Sequence, residues 1–252
     1  MVSLFSVAFF LLGATVASFV GVVVARLNTG ESIATGRSRR DACATPLPPH
    51  ALVPILSYFF TGGRAHCCGA RISLYAPLTE IMLGVLFVLA YLSLGLVIAL
   101  PFMLISLSVL LALVLYDLLH QILPTALLSI FVVSAAITGY AASPFVEAFL
   151  STLWAAFIIA SSLALIHFLS RGRAMGLADT PLVFGLALLA GPAAFPGFVF
   201  SFWIGAVVGI IILVQRPRGS RMGVEVPFAP FLAAGFLLAY FTQWNPFALI
   251  IG

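Results

Sequence analysis

Two carboxylates stand alone in long apolar surroundings, and two such groups sharing one site can carry out hydrolysis. Between Glu80 and Asp117 lie 36 residues without a charge, and Asp179 follows the run Ala174-Met175-Gly176-Leu177-Ala178. An ionised carboxylate at membrane depth is costly, or else the group takes up a proton. When two carboxyls are neighbours, one keeps a proton while the other ionises. The ionised member can then act as general base on a water while the protonated one serves the scissile carbonyl as acid. The separation of 62 residues does not by itself bring Asp117 and Asp179 together. Helix-end acids that cap a helix or bind Arg, and a proton relay in a carrier, remain open readings of the same two residues.

The elements that must position these acids follow from composition. Of 252 residues, 63% are hydrophobic and 7% are charged. A soluble domain carries about 25% charged residues, so lipid is the solvent this chain is built for. The net charge of +4 and a pI near 9.3 come from eleven Arg residues scattered in short segments. Nucleic-acid binding calls for a basic stripe, and no nucleic-acid partner is expected.

Crossing a hydrocarbon core of about 30 Å takes roughly 20 apolar residues in a helix. Residues 4–25 supply a first span with no basic residue before it, unlike a cleavable signal peptide. Residues 76–116 are too long for one crossing and are read as two spans turning near 95–101, with Asp117 at the end of the third span. Further spans are read at 125–142, 145–170, 174–194, 197–214 and 226–250, eight in all. The expected fold class is therefore an all-α integral membrane protein with about eight transmembrane helices. Its parts are a first helix (1–25), a polar loop subdomain (26–74) and a helical core (75–252). Pro227, Pro230, Gln243 and Asn245-Pro246 interrupt the eighth span.

Orientation follows from the Arg residues. With the N-terminus outside, all eleven fall in the segments 26–74, 117–124, 171–178 and 215–225, and the opposite side keeps only Glu147. Positive loops stay cytoplasmic, which puts Asp117 and Asp179 near the cytoplasmic face. The segment 26–74 also holds Cys43, Cys67, Cys68, His50 and His66.

At this point the residues resemble the prepilin peptidases, also called type IV leader peptidases. Ser18-Phe19-Val20-Gly21, Arg26-Leu27 and Gly30-Glu31-Ser32-Ile33 look like the family's opening. So do Pro46-Leu47, Leu52-Val53-Pro54-Ile55-Leu56-Ser57-Tyr58, Gly63-Arg64, Cys68-Gly69-Ala70-Arg71-Ile72-Ser73 and Pro77-Leu78-Thr79-Glu80. Tyr116-Asp117 with Ile122-Leu123-Pro124 is similar to the segment of the first catalytic Asp. Met175-Gly176-Leu177-Ala178-Asp179 is similar to the Gly-x-Gly-Asp motif of the second. The resemblance runs in order over about three quarters of the chain.

The resemblance implies a membrane aspartic endopeptidase of the bacterial inner membrane. Such an enzyme removes the basic leader of type IV prepilins or pseudopilins at the cytoplasmic face, after a Gly. It implies Asp117 and Asp179 as the catalytic pair. Proteolysis needs no cofactor; S-adenosylmethionine enters where the new terminus is also N-methylated. Gly176, Glu80 and His120 are near-site candidates for substrate binding or structure. Glu80 could pair with Arg26 or Arg71, and His120 lies three residues past Asp117. His167, at the end of the fifth span, is read as an anchor.

The chain departs from the family pattern at several positions. Where members carry two Cys-x-x-Cys pairs suited to tetrahedral zinc, this chain has Arg40, Cys43, Ala65 and Cys68. Zinc is therefore not expected, Cys43 and Cys68 being the weak metal candidates. Gly21 replaces an Asn, Ala178 a Gly, Pro181 a Lys and Thr125 an Asp. Ala178 is expected to restrict the backbone beside Asp179. These changes leave two alternatives: a homologue that binds pilin precursors without cutting them, or a proton-coupled transporter.

Overall fold

Backbone in lipid must satisfy its own hydrogen bonds, which leaves helices as the economical answer for an apolar chain. The computed structural model describes residues 2–27, 29, 74–172, 175–215 and 226–246, all of it helix, turn or loop with no strand. The helices are α1 (Val2–Arg26), α2 (Tyr75–Leu94), α3 (Ala99–His120) and α4 (Thr125–Ala142), then α5 (Val146–Leu169) and α6 (Asp179–Ala190). A 3₁₀ turn at Gly191–Ala193 leads into α7 (Ala194–Gln215), and α8 (Ala229–Thr242) follows. The cysteines and the histidines His50 and His66 lie outside the described residues.

The chain divides into two compact units, Met1–Gly95 and Leu96–Gly252. In the first, α1 and α2 pack closely because small residues let their backbones approach. A β-carbon on Gly13 would fall 2.7 Å from the Leu83 carbonyl oxygen, and one on Gly84 would fall 2.9 Å from the Phe10 ring. Phe9 stacks on Tyr91 with ring centroids 4.9 Å apart. Gly95, at φ +72, donates its N–H to the Tyr91 carbonyl and ends α2.

In the second unit the core collects around α6. Leu182, Val183, Leu186 and Leu188 of that helix share one apolar cluster with Leu110 and Leu113 of α3, Phe131 of α4 and Leu163 of α5. Ala229, Leu232 and Phe236 of α8 complete it. Buried hydroxyls tie the helices where lipid could not: Ser106 of α3 donates to Ser134 of α4 at 2.9 Å. Ser201 of α7 donates to the Leu232 carbonyl of α8 at 3.2 Å.

Counting the run Asp179–Gln215 as one, six helices among the described residues are long and apolar enough to cross a membrane. The protein is thus an all-α, multi-pass membrane protein, and the eight expected stretches each produce a helix. Two are shorter than expected. Helix α6 has 12 residues and α8 has 14, about 18 and 21 Å at 1.5 Å per residue. At the sixth span, residues 175–178 form the turns that lead into Asp179, so helix begins only there. At the eighth, Pro230 sits in the first turn, where a missing N–H costs little, and left-handed Gln243 (φ 52) ends the helix.

Candidate active site

Asp117 lies in the last turn of α3 and is buried. The helix stops just beyond it, with Gln121 in the left-handed region at φ 54 donating its N–H to the Asp117 carbonyl at 2.8 Å. A carboxylate at a helix C-terminus meets the unfavourable end of the helix dipole. Tertiary packing offsets this by bringing the N-terminus of α8 to it. The Ala229 N–H donates to Asp117 Oδ2 at 3.1 Å, across 112 residues of sequence. Ala229 is the first residue of α8, whose opening N–H groups have no intrahelical acceptor. The Phe228 side chain cannot cap them, so the carboxylate of α3 does.

Asp179 opens α6 and is also buried. The turn before it is already nearly helical. The Asp179 N–H reaches the Gly176 carbonyl at 3.3 Å, and the Thr180 N–H reaches that of Leu177 at 3.2 Å. Asp179 Oδ2 accepts the Gly176 N–H in return, at 3.2 Å. A first-turn carboxylate that reaches back three residues is half of a capping box, and it suits the positive end of the helix.

The two acids thus come from different helix ends of the second unit. In each, backbone N–H holds Oδ2, while Oδ1 has no protein donor among the described residues. The pair has the parts for acid–base hydrolysis: two carboxyls held by backbone, each with a free oxygen for a water or a carbonyl.

The other sequence candidates fall as follows. Gly176 is exposed and supplies the donor to Asp179. Its φ lies outside the left-handed region, and a β-carbon there would meet the carboxylate at an ordinary 3.5 Å. The fold therefore does not require glycine at 176. Ala178 is in the right-handed helical region (φ −68, ψ −18), which any residue adopts, and it packs against the apolar core. The backbone restriction expected of its methyl group does not arise.

His120 does lie on the continued helix, but it is exposed and packs on Tyr116 with ring centroids 4.4 Å apart. No hydrogen bond joins it to Asp117 among the described residues. Glu80 is buried in α2 of the first unit, and Arg71, one partner expected for it, lies outside the described residues. Pro181 falls in the first turn of α6, as its tolerance there requires. Sequence reasoning missed the Ala229 amide because a backbone donor has no side-chain signature. The available hint was Pro230, a residue type common at helix starts.

A family model described as the bacterial peptidase A24 N-terminal domain matches residues 11–94. The chain is 30% identical over 238 residues to a prepilin leader peptidase/N-methyltransferase of Bacillus subtilis (strain 168), covering 92% of each protein. To the protein so named in Myxococcus xanthus (strain DK1622) it is 33% identical over 224 residues, 86% of this chain and 66% of that one. To that of Klebsiella pneumoniae it is 31% identical over 195 residues, 74% of this chain and 86% of that one. No solved structure matches. With a relative that is 30% identical over 92% of both chains, the chain belongs to the prepilin leader peptidase/N-methyltransferase family.

Proposed function

We propose that this protein is a membrane-embedded aspartic endopeptidase that removes the leader of type IV prepilins or pseudopilins at the cytoplasmic face of the bacterial inner membrane. The observation that supports the reading is that Asp117 and Asp179, buried at the ends of separate helices of one compact unit, are each held by a backbone N–H at Oδ2. A water between the free oxygens loses a proton to the ionised carboxylate and attacks the scissile carbonyl, which takes a proton from the other. The tetrahedral intermediate then collapses, and the leaving amine takes up a proton as the C–N bond breaks. The pair titrates as a unit, so neither Asp is assigned as the base. A prepilin with a basic leader in the cytoplasm and an apolar stem in the bilayer would present its cut site at this depth.

N-methylation of the freed terminus would draw its methyl group from S-adenosylmethionine. Two cavities among the described residues fit that group poorly. One, of about 520 Å³, lies at Tyr140–Glu147, at the end of α4 remote from the α3–α4 turn beside Asp117. The other, of about 310 Å³, is walled by Val132, Phe157, Pro181 and Phe184 and offers only the Ser161 and Thr180 hydroxyls as side-chain donors. No methyl-transfer step is assigned to a residue.

A second reading has a specific observation in its favour: both carboxylates serve as helix caps, a role that needs no chemistry. It makes the protein a precursor-binding homologue that does not cut. Co-expression with a prepilin from the same genome separates the two. Wild type is expected to shorten the precursor, and Asp117→Asn and Asp179→Asn, which keep an acceptor for the caps, should each lower the rate about 10²–10⁴-fold. An uncut precursor with wild type, or full cutting by either variant, sinks the protease reading.

A further inference from the structure

The peptide that holds Asp179 is itself held. Helix α5 ends in a Schellman turn: the Gly172 N–H reaches the His167 carbonyl at 2.8 Å, and the Arg171 N–H reaches that of Phe168 at 3.1 Å. Arg171 occupies the left-handed position at φ 54, where glycine is usual. The turn wraps the imidazole closely, since a β-carbon on Gly172 would fall 3.3 Å from His167 Cε1. Beyond the turn, His167 Nδ1 lies 2.8 Å from the Met175 carbonyl oxygen. A carbonyl only accepts, so Nδ1 carries the hydrogen of this bond.

The Met175 carbonyl and the Gly176 N–H belong to one peptide group. Being planar, that group is fixed in orientation when both ends are bonded. One end takes the His167 proton donor; the other donates to Asp179 Oδ2 at 3.2 Å. A carbonyl that accepts a hydrogen bond also makes its own N–H a better donor, because chained bonds polarise one another. The Met175 side chain packs against the apolar core.

We propose that His167 is a positioning residue for Asp179: by pinning the Met175–Gly176 peptide, it sets the donor that orients the carboxylate. The proposal rests on the endopeptidase reading for its effect on rate, and on the hydrogen-bond chain alone for its effect on structure. His167→Phe keeps a ring against Phe168, which the imidazole now meets edge-on at 5.5 Å, but removes the donor. His167→Asn places a donor close to where Nδ1 stands.

The test measures prepilin cleavage and backbone amide exchange at Gly176 on full-length protein in detergent. His167→Phe should lower kcat about 10-fold with KM changed less than about 2-fold, and should speed Gly176 exchange. His167→Asn should restore both. A Phe variant with wild-type kcat and exchange, or an Asn variant as impaired as Phe, overturns the proposal. If wild type cuts nothing, the endopeptidase reading fails separately. Gly176 exchange then still decides whether His167 pins the peptide.

Discussion

Thr180 stands one position past Asp179, and its hydroxyl is buried without a hydrogen-bond partner, the one such side-chain atom among the described residues. An unsatisfied buried hydroxyl is destabilising, and Val has nearly the same shape. Thr180→Val is therefore expected to stabilise the protein by about 1 kcal/mol, a rise of roughly 2–4 °C in the melting temperature in detergent. Prepilin cleavage should stay within about 2-fold of wild type. A lower melting temperature would mean that the hydroxyl has a water or lipid partner, and a collapse of cleavage would place it on the substrate path. Residue identity matters elsewhere in this loop in unequal ways. Ala178 sits unstrained just before the first helical turn, while Gly176 contributes through its backbone. Any selection for glycine at 176 would have to come from what passes its exposed face.

Helices α7 and α8 show how a packing contact away from the acids can govern them. A β-carbon on Gly235 would overlap the Ser201 backbone nitrogen and hydroxyl and lie 2.6 Å from its Cα. Backbone cannot yield as a flexible side chain can, so Gly235→Val must push α8 away from α7. Overpacking of this kind costs about 1–3 kcal/mol. The same shift moves Ala229, at the start of α8, away from Asp117. Loss of thermal stability and loss of cleavage should therefore appear together in Gly235→Val. Gly209→Val in α7 is the matched control, since a β-carbon there meets nothing within 4 Å, and both properties should remain near wild type. A stable, active Gly235 variant would show that α8 does not need this contact to hold its N-terminus.

At the scale of the whole molecule, orientation in the bilayer determines which side a substrate must come from. In the proposed orientation, with the N-terminus outside, all eleven Arg residues fall in segments on the cytoplasmic face. The three cysteines, Cys43, Cys67 and Cys68, lie in the same set of segments, so the native chain carries its own probes. A membrane-impermeant maleimide should leave them unlabelled in intact spheroplasts and modify them in inverted inner-membrane vesicles. Labelling in spheroplasts would reverse the orientation and move the proposed cut site to the other side.

Membrane class, the positions of the helices and the two isolated acids were legible in the chain, because each depends on local composition and period. A 20-residue apolar run has few alternatives in lipid, and a lone Asp within such a run stands out by type. Collinear short motifs pointed to the family for the same reason. The contacts that make a site were not legible. Nothing near Asp117 indicates that its partner is an amide 112 residues away, and nothing in His167 alone indicates the Met175 carbonyl. Nor did apolar length reveal that α6 and α8 stop at 12 and 14 residues, since hydropathy does not register where a carboxylate or a proline starts a helix. Backbone donors carry no residue label, and their partners are set by how helices pack, so the surroundings of the two acids came from the tertiary structure.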